Sequence, residues 1–210
     1  MMYNYIAIEG TIGAGKTSLA QMLSADLNSR LILEQFEEND FLPKFYKDPD
    51  KYAFPLELSF LASRFQQLKT ELSVTDLFRN TIISDYFINK SLIFSKATLP
   101  EDEFNLYSRL FNIINLSLPG PDLIVYLYAS VTRLKSNIIL RGRSYEQEIE
   151  HAYLQRIQDG YFEHLRKLND MRILIVDTNR LDFVNNMEHY EWMKETLLKH
   201  YDYGIHTIVF

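Results

Sequence analysis

The stretch Glu9–Ser18 reads EGTIGAGKTS, and its glycine spacing decides the fold. Gly10-Thr11-Ile12-Gly13-Ala14-Gly15-Lys16-Thr17 fits GxxxxGK[ST] at every position. Glycines at these offsets let the backbone turn tightly, so that its N–H groups converge on phosphate oxygens. A short apolar run, Tyr5–Ile8, stands before the loop. A segment of helical period, Lys16–Leu27, stands after it, with Leu19, Met22, Leu23 and Leu27 on one face. In that context the helix N-terminus offers its positive dipole end, Lys16 reaches the β- and γ-phosphates, and the Thr17 hydroxyl is a Mg²⁺ ligand. Gly10 to Ser18 is therefore read as a binding loop for a nucleoside triphosphate.

Outward from the loop, further β-branched or aromatic-rich runs occur at Leu31–Leu33, Thr81–Ser84, Leu123–Tyr128 and Arg172–Val176. Segments of helical period separate them, at Leu56–Leu72, Phe104–Leu118, Glu146–Leu168 and Asn186–His200. Strand alternating with helix predicts a parallel sheet covered on both faces. The expected fold is a P-loop NTPase, a three-layer α/β/α domain on five parallel strands with a small helical lid at about 137–146. Neither a repeat nor a linker divides the 210 residues, so one domain is expected. The tail GIHTIVF (204–210) reads as a cap on the core, an edge strand or part of an interface.

Composition removes several function classes. A net charge of −6 with no basic tract argues against nucleic-acid or anionic-membrane partners. The absence of cysteine excludes a disulfide, a thiol nucleophile and a Cys-ligated zinc, and suits the cytoplasm. No leader-like segment and no run long enough to span a membrane is present. The five histidines form no HxH or HxxxH pattern and read as packing or solvent residues. A GTPase switch would need DxxG and NKxD. No aspartate lies three residues before a glycine, and Asn179-Arg180-Leu181-Asp182 carries Arg in place of Lys.

The loop fixes a triphosphate but not what receives its phosphate. Glu34 closes the second strand, at the edge where open α/β sheets place their sites. It reads either as a general base for a hydroxyl acceptor or as a surface carboxylate beside Glu37 and Glu38. Glu57 and Arg64, seven residues apart, share one helical stripe next to Phe60, Leu61, Phe65 and Leu68. They read as a pair facing a polar ring or as a solvated charge stripe ending at Glu71. Asp85, after the third strand, is placed to hold Mg²⁺ or to start a turn. Arg141 and Arg143 straddle Gly142, as a cationic clamp or as arginines at a helix end.

Taken together, EGTIGAGKT, Glu34, FYKDPDKYAFPLE and LRGRSYEQ resemble the deoxyribonucleoside kinases of the deoxycytidine, deoxyguanosine and deoxyadenosine kinase type, from the first strand to about Phe183. The resemblance implies an ATP- and Mg²⁺-dependent enzyme of nucleotide salvage that phosphorylates a deoxynucleoside, and it suggests a homodimer through the helices around 55–72 and 104–118. Glu34 is then the base for the 5′-hydroxyl, and Tyr46 and Glu146 hold the sugar 3′-hydroxyl. Leu42, Phe45 and Phe94 enclose the base, which Glu57 and Arg64 read. Arg141 and Arg143 close over the phosphates, and Asp182 and Phe183 border the base of the donor. Three positions depart from the family pattern. Glu57 replaces the usual Gln, Tyr86 follows Asp85 where Arg is common, and Asn137 stands where a first lid arginine is common. A carboxylate at position 57 suits the N–H groups of guanine, and adenine is reached through its N6 amine; together with the resemblance of FLPKFYKDPDKYAFPLELSFLASRFQQL to bacterial deoxyadenosine and deoxyguanosine kinases, this implies a purine acceptor. The nearest rival is a nucleoside monophosphate kinase of the thymidylate kinase type, in which a strand-end Glu34 would repel the acceptor phosphate. A non-catalytic nucleotide-binding subunit would need neither Glu34 nor the lid arginines.

Overall fold

Strands buried on both faces need apolar side chains in both directions, and Tyr5–Gly10 (β1) and Leu123–Tyr128 (β4) carry them. The computed structural model describes residues 3–35, 39–74 and 81–210, so Glu37 and Glu38 lie outside it. Arg30–Ile32 (β2), Ile82–Ser84 (β3), Arg172–Asp177 (β5) and Gly204–Val209 (β6) complete the sheet. Its order is β2-β3-β1-β4-β5-β6, and every pairing is parallel.

The sheet therefore has six strands among the described residues, not the expected five. The additional one is the 204–210 tail, which runs beside β5 from Arg172↔Gly204 to Asp177↔Val209. Its residues alternate half-buried and exposed. An edge strand covered on one face gives no continuous apolar run, and so it lacks the signature of the inner strands.

Alternation along the strands divides the core in two. On one face Ile6, Ile8, Val125, Leu127, Leu174 and Val176 meet Lys16–Asp26 (α1), Val131–Arg141 (α6) and Met187–Leu197 (α8) through residues such as Leu19, Leu23, Leu134, Ile138 and Met193. On the other, Ala7, Ile124, Tyr126, Ile173 and Ile175 meet Pro49–Ser73 (α3), Lys90–Thr98 (α4), Glu101–Asn115 (α5) and His151–Leu165 (α7). The result is the expected helix–sheet–helix sandwich. The helix expected from Leu56 begins seven residues earlier, at Pro49, and runs through Pro55. Proline costs a helix its N–H donor and crowds the preceding turn, yet Ala53, Leu56 and Phe60 on either side of it are buried in the core. Leu42–Lys47 (α2) and α4 were not anticipated as helices.

From β1 the chain moves toward β2, and from β4 it moves the other way toward β5. The carboxyl ends of β1 and β4 thus border a crevice, which is where open parallel sheets take ligands. The glycine loop fills that position. At Gly10 (φ 153) a Cβ would stand 2.8 Å from the Leu127 carbonyl oxygen, so glycine lets the loop start against β4. Gly15 (φ 88) is the left-handed residue that opens α1, and its missing Cβ leaves room for the Phe183 ring.

Candidate active site

Two cavities flank the glycine loop. The first, of about 430 Å³, is lined by Gly13 to Ser18, by Arg133, Asn137, Leu140, Arg141 and Arg143 of α6 and its end, and by residues 181–185. The second is lined by Ile12, Glu34, Leu42, Phe45, Tyr46, Glu57, Phe60, Arg64, Lys90, Phe94, Glu146 and Tyr153. The loop is their common wall, with Ile12 on one side and Gly13 onward on the other. Of the residues expected around a triphosphate, Gly13, Ala14, Gly15, Lys16, Thr17, Ser18, Asp182 and Phe183 face the first cavity. Gly10 and Thr11 lie behind it in the turn, where the Thr11 hydroxyl is 3.3 Å from the Tyr126 hydroxyl.

The Lys16 ammonium folds onto the loop, donating to the carbonyls of Gly10 (2.9 Å) and Thr11 (3.2 Å). Burial and the nearby Lys90 push its pKa down to about 8, against the pull of Glu9, Glu34 and Asp85. Thr17 Oγ1 donates to Asp85 Oδ2 at 2.6 Å, and Asp85 Oδ1 accepts the Glu34 backbone N–H at 2.7 Å. Asp85 lines neither cavity. It is buried behind them and ties the start of α1 to the end of β2.

Glu34 lies on the wall of the second cavity. Arg64 Nε donates to its Oε1 at 2.8 Å, and Lys90 Nζ donates to its Oε2 at 2.5 Å. Arg64 also holds Ser91 Oγ at 2.8 Å and lies 4.8 Å over the Phe60 ring. Burial acts to raise the Glu34 pKa, but Lys90 and Arg64 outweigh it and hold the carboxyl well below the usual range. Glu34 is therefore an interior ion and not part of a solvated cluster. The fork of Arg64, expected beside a base, is engaged with Glu34. Glu57 is a different carboxyl: Thr98 Oγ1 approaches its Oε1 at 3.1 Å, while Oε2 is buried without a partner. Burial pushes its pKa up to about 7, with Arg64 pulling the other way. Neither residue belongs to a solvated stripe.

Arg141 and Arg143 both ion-pair with Glu146, which is buried in the short 3₁₀ turn Ser144–Glu146. Tyr145 stacks on Tyr46 with ring centroids 6.0 Å apart. Thus the segment 141–146 bridges the cavities, with Arg141 on the wall of the first and Glu146 on the wall of the second. At the two unusual positions, Tyr86 donates its hydroxyl to Gln67 Oε1 (2.8 Å) and Asn137 donates to the Gly13 carbonyl (2.8 Å). Arg133, on the same stripe as Asn137 and Arg141, is committed to the carbonyls of Asn179 (3.0 Å) and Leu181 (2.7 Å). The residue that sequence reasoning missed is Lys90. Its only signal was a lysine between the apolar residues Ile88 and Leu92 to Phe94 of INKSLIF.

Together the glycine loop, the ionised carboxylate near it and the adjoining cavity of mixed aromatic and charged lining define a nucleotide-dependent phosphotransferase. The deoxynucleoside kinase family pattern matches residues 6–201. Deoxyguanosine kinase of Bacillus subtilis is 37% identical over 194 residues, covering 89% of this chain and 92% of its own. Deoxyadenosine kinase of Dictyostelium discoideum is 36% identical over 186 residues, covering 86% of this chain and 74% of its own. Among solved structures, deoxyadenosine kinase from M. mycoides with bound dATP superposes with a TM-score of 0.80 at 28% identity, over 93% of this chain and 99% of that one. The chain belongs to the deoxynucleoside kinase family.

Proposed function

We propose that the chain, as one P-loop NTPase domain, transfers the γ-phosphate of ATP to the 5′-hydroxyl of deoxyguanosine or deoxyadenosine. The observation that carries the reading is Glu34, an ionised carboxylate on the wall of the cavity that shares the glycine loop with the phosphate cavity. A carboxylate there receives a hydroxyl proton but repels an acceptor phosphate, which favours a nucleoside over a nucleoside monophosphate.

In the proposed reaction the 5′-oxygen bonds to the γ-phosphorus as the bond from that phosphorus to the β–γ bridging oxygen breaks. The hydroxyl proton passes to Glu34. Phosphoryl transfer asks mostly for positioning and charge stabilisation, and the residues divide that work. Loop N–H groups and Lys16 hold the phosphates, while Phe183 and Asp182 border the donor base. Tyr46 and Glu146 hold the 3′-hydroxyl, Leu42, Phe45 and Phe94 enclose the acceptor base, and Glu57 reads it with its unpartnered oxygen. Arg64 serves the 5′-hydroxyl end, by holding Glu34 in place and ionised, and acts on the base reader Glu57 only through its charge. Residues 137–146 are the lid, and Arg141 and Arg143 move from Glu146 to the phosphates when it closes.

The Thr17 hydroxyl and Asp85 carboxylate form an oxygen pair suited to Mg²⁺, which takes few protein ligands and completes its shell with phosphates and water. Among the described residues no cluster of three acidic or histidine side chains offers a stronger metal cage. Mg²⁺ held there would neutralise charge on the β- and γ-phosphates.

The acceptor cavity measures about 80 Å³, against roughly 300 Å³ or more for an occupied ligand pocket, so acceptor binding must displace part of its wall. The stacked Tyr46–Tyr145 pair, where α2 meets the lid, is the segment to move. Exposed Leu58 on α3 and Leu106 and Ile113 on α5 support a homodimer through these helices, to be checked by sedimentation. The proposed place of the protein is cytoplasmic nucleotide salvage; among the described residues no helix is long and apolar enough to cross a membrane. The deciding experiment is ATP-dependent phosphorylation of the four deoxynucleosides and dTMP. Product on a purine deoxynucleoside is expected, and product on dTMP alone would overturn the reading.

A further inference from the structure

Lys90 is a charged residue that nothing in the motif reading called for. It sits in the first turn of α4, on the wall of the acceptor cavity, and is only 7% exposed. A buried lysine needs a counter-charge, and Glu34 provides it at 2.5 Å. The ammonium is also 5.4 Å from the centroid of the Phe94 ring, which fixes it from a second side. Among the described residues Glu34 is the one hydrogen-bond acceptor of this ammonium. An ammonium has three donors, so two remain for whatever enters the cavity. Arg64 contrasts with this, because its fork is already divided between Glu34 and Ser91.

The position of the charge matters as much as its free donors. Lys90 shares the acceptor-cavity wall with Glu34, and Lys90, Glu34 and Lys16 stand close enough to act on one another electrostatically. In the proposed reaction, negative charge leaves Glu34 as it takes the 5′-proton and appears on the 5′-oxygen and the transferring phosphoryl oxygens. A cation that pairs only with the carboxylate opposes that shift. A cation standing between the carboxylate and the phosphates follows it.

We propose that Lys90 is a catalytic residue, donating one N–H to Glu34 and another to the 5′-oxygen as that oxygen bonds to the γ-phosphorus. The proposal rests on the kinase reading above, with a deoxynucleoside as acceptor. Atoms balance without further groups: Lys90 stays protonated throughout, Glu34 takes the one proton released, and ADP leaves with the bridging oxygen. Lys90 thus provides the charge that the direct neighbour of Asp85, the neutral and buried Tyr86, does not.

Lys90→Met keeps most of the unbranched side chain and removes its charged end. Steady-state kinetics with the best deoxynucleoside should show kcat reduced by about 10²–10³, the effect of losing one charge-stabilising donor. KM for the nucleoside and the Kd for ATP should stay within about threefold, because the contact to the 5′-oxygen strengthens only in the transition state. Lys90→Arg, which retains a donor, should recover at least tenfold of the loss. A kcat within threefold of wild type in Lys90→Met overturns the proposal, as does a loss confined to KM or one that Lys90→Arg does not relieve. If Lys90→Met fails to fold, Lys90→Gln is judged by the same criteria. Failure of the kinase reading is recognised separately, because wild type itself would then phosphorylate no deoxynucleoside.

Discussion

Replacing Glu57 by glutamine should make the protein more stable at alkaline pH and leave it nearly unchanged in acid. Glu57 is buried against Thr98 with one oxygen lacking any partner. Its pKa is pushed up by burial from 4.5 to about 7. A carboxyl raised in the folded state binds its proton more tightly there than in the unfolded chain. Its contribution is therefore intact below pH 4.5 and is lost as pH climbs through 7. The whole loss is about 3 kcal/mol at 1.36 kcal/mol per unit, and about 2.5 kcal/mol of it falls between pH 5 and pH 8.5. Glutamine does not titrate, so the difference in unfolding free energy between the two proteins should change by about 2.5 kcal/mol in that window. For a chain of this length that is roughly 5–10 °C in Tm. Chemical denaturation of both proteins across the pH series reads it directly. Any constant cost of fitting the amide cancels, because only the change with pH matters. Parallel stability curves for the two proteins would refute the reasoning.

The same variant should shift acceptor preference from deoxyguanosine toward deoxyadenosine or deoxycytidine, since an amide adds a donor that an ionised carboxyl lacks; an unchanged profile would remove Glu57 as the base reader. Glu34→Gln should lower kcat by about 10²–10⁴ while ATP still binds, and full turnover with deoxynucleosides would end its assignment as base. Arg143→Ala should slow turnover more than it weakens ATP binding, and an unchanged rate removes that arginine from the lid. Gly15→Ala forces a Cβ to within 2.9 Å of Phe183 at φ 88. It should cost about 1–2 kcal/mol of stability, measured by denaturation, and should weaken nucleotide binding in titration.

The phosphate loop was legible because its chemistry is local: glycine offsets, a strand before and a helix after occupy one short stretch. The inner strands were legible because burial on both faces leaves continuous apolar runs. β6 was not, since an edge strand with one covered face carries a mixed pattern that three different roles would share. Glu34 and Glu57 illustrate a second limit. Both are single carboxylates on the page of the sequence, one beside an acidic cluster and one on a charged stripe. Only tertiary contacts from distant elements separate them, by giving Glu34 two cations and leaving Glu57 with an empty oxygen. Lys90 was illegible for the same reason. Fifty-six residues separate it from the carboxylate that explains it.

The ion pairs of Arg141 and Arg143 with Glu146 have a consequence for a donor that arrives alone. While Glu146 keeps both guanidiniums, a triphosphate in the larger cavity meets arginines that are held away from it and whose charge is partly offset, one carboxylate against two cations. Its γ-phosphate is then poorly stabilised for attack by water. In the proposed reaction a sugar that engages Glu146 in the neighbouring cavity would loosen that hold and make the arginines available. On that reading the carboxylate that holds the sugar would also guard the nucleotide against futile hydrolysis, letting the phosphate leave only when there is an alcohol to receive it.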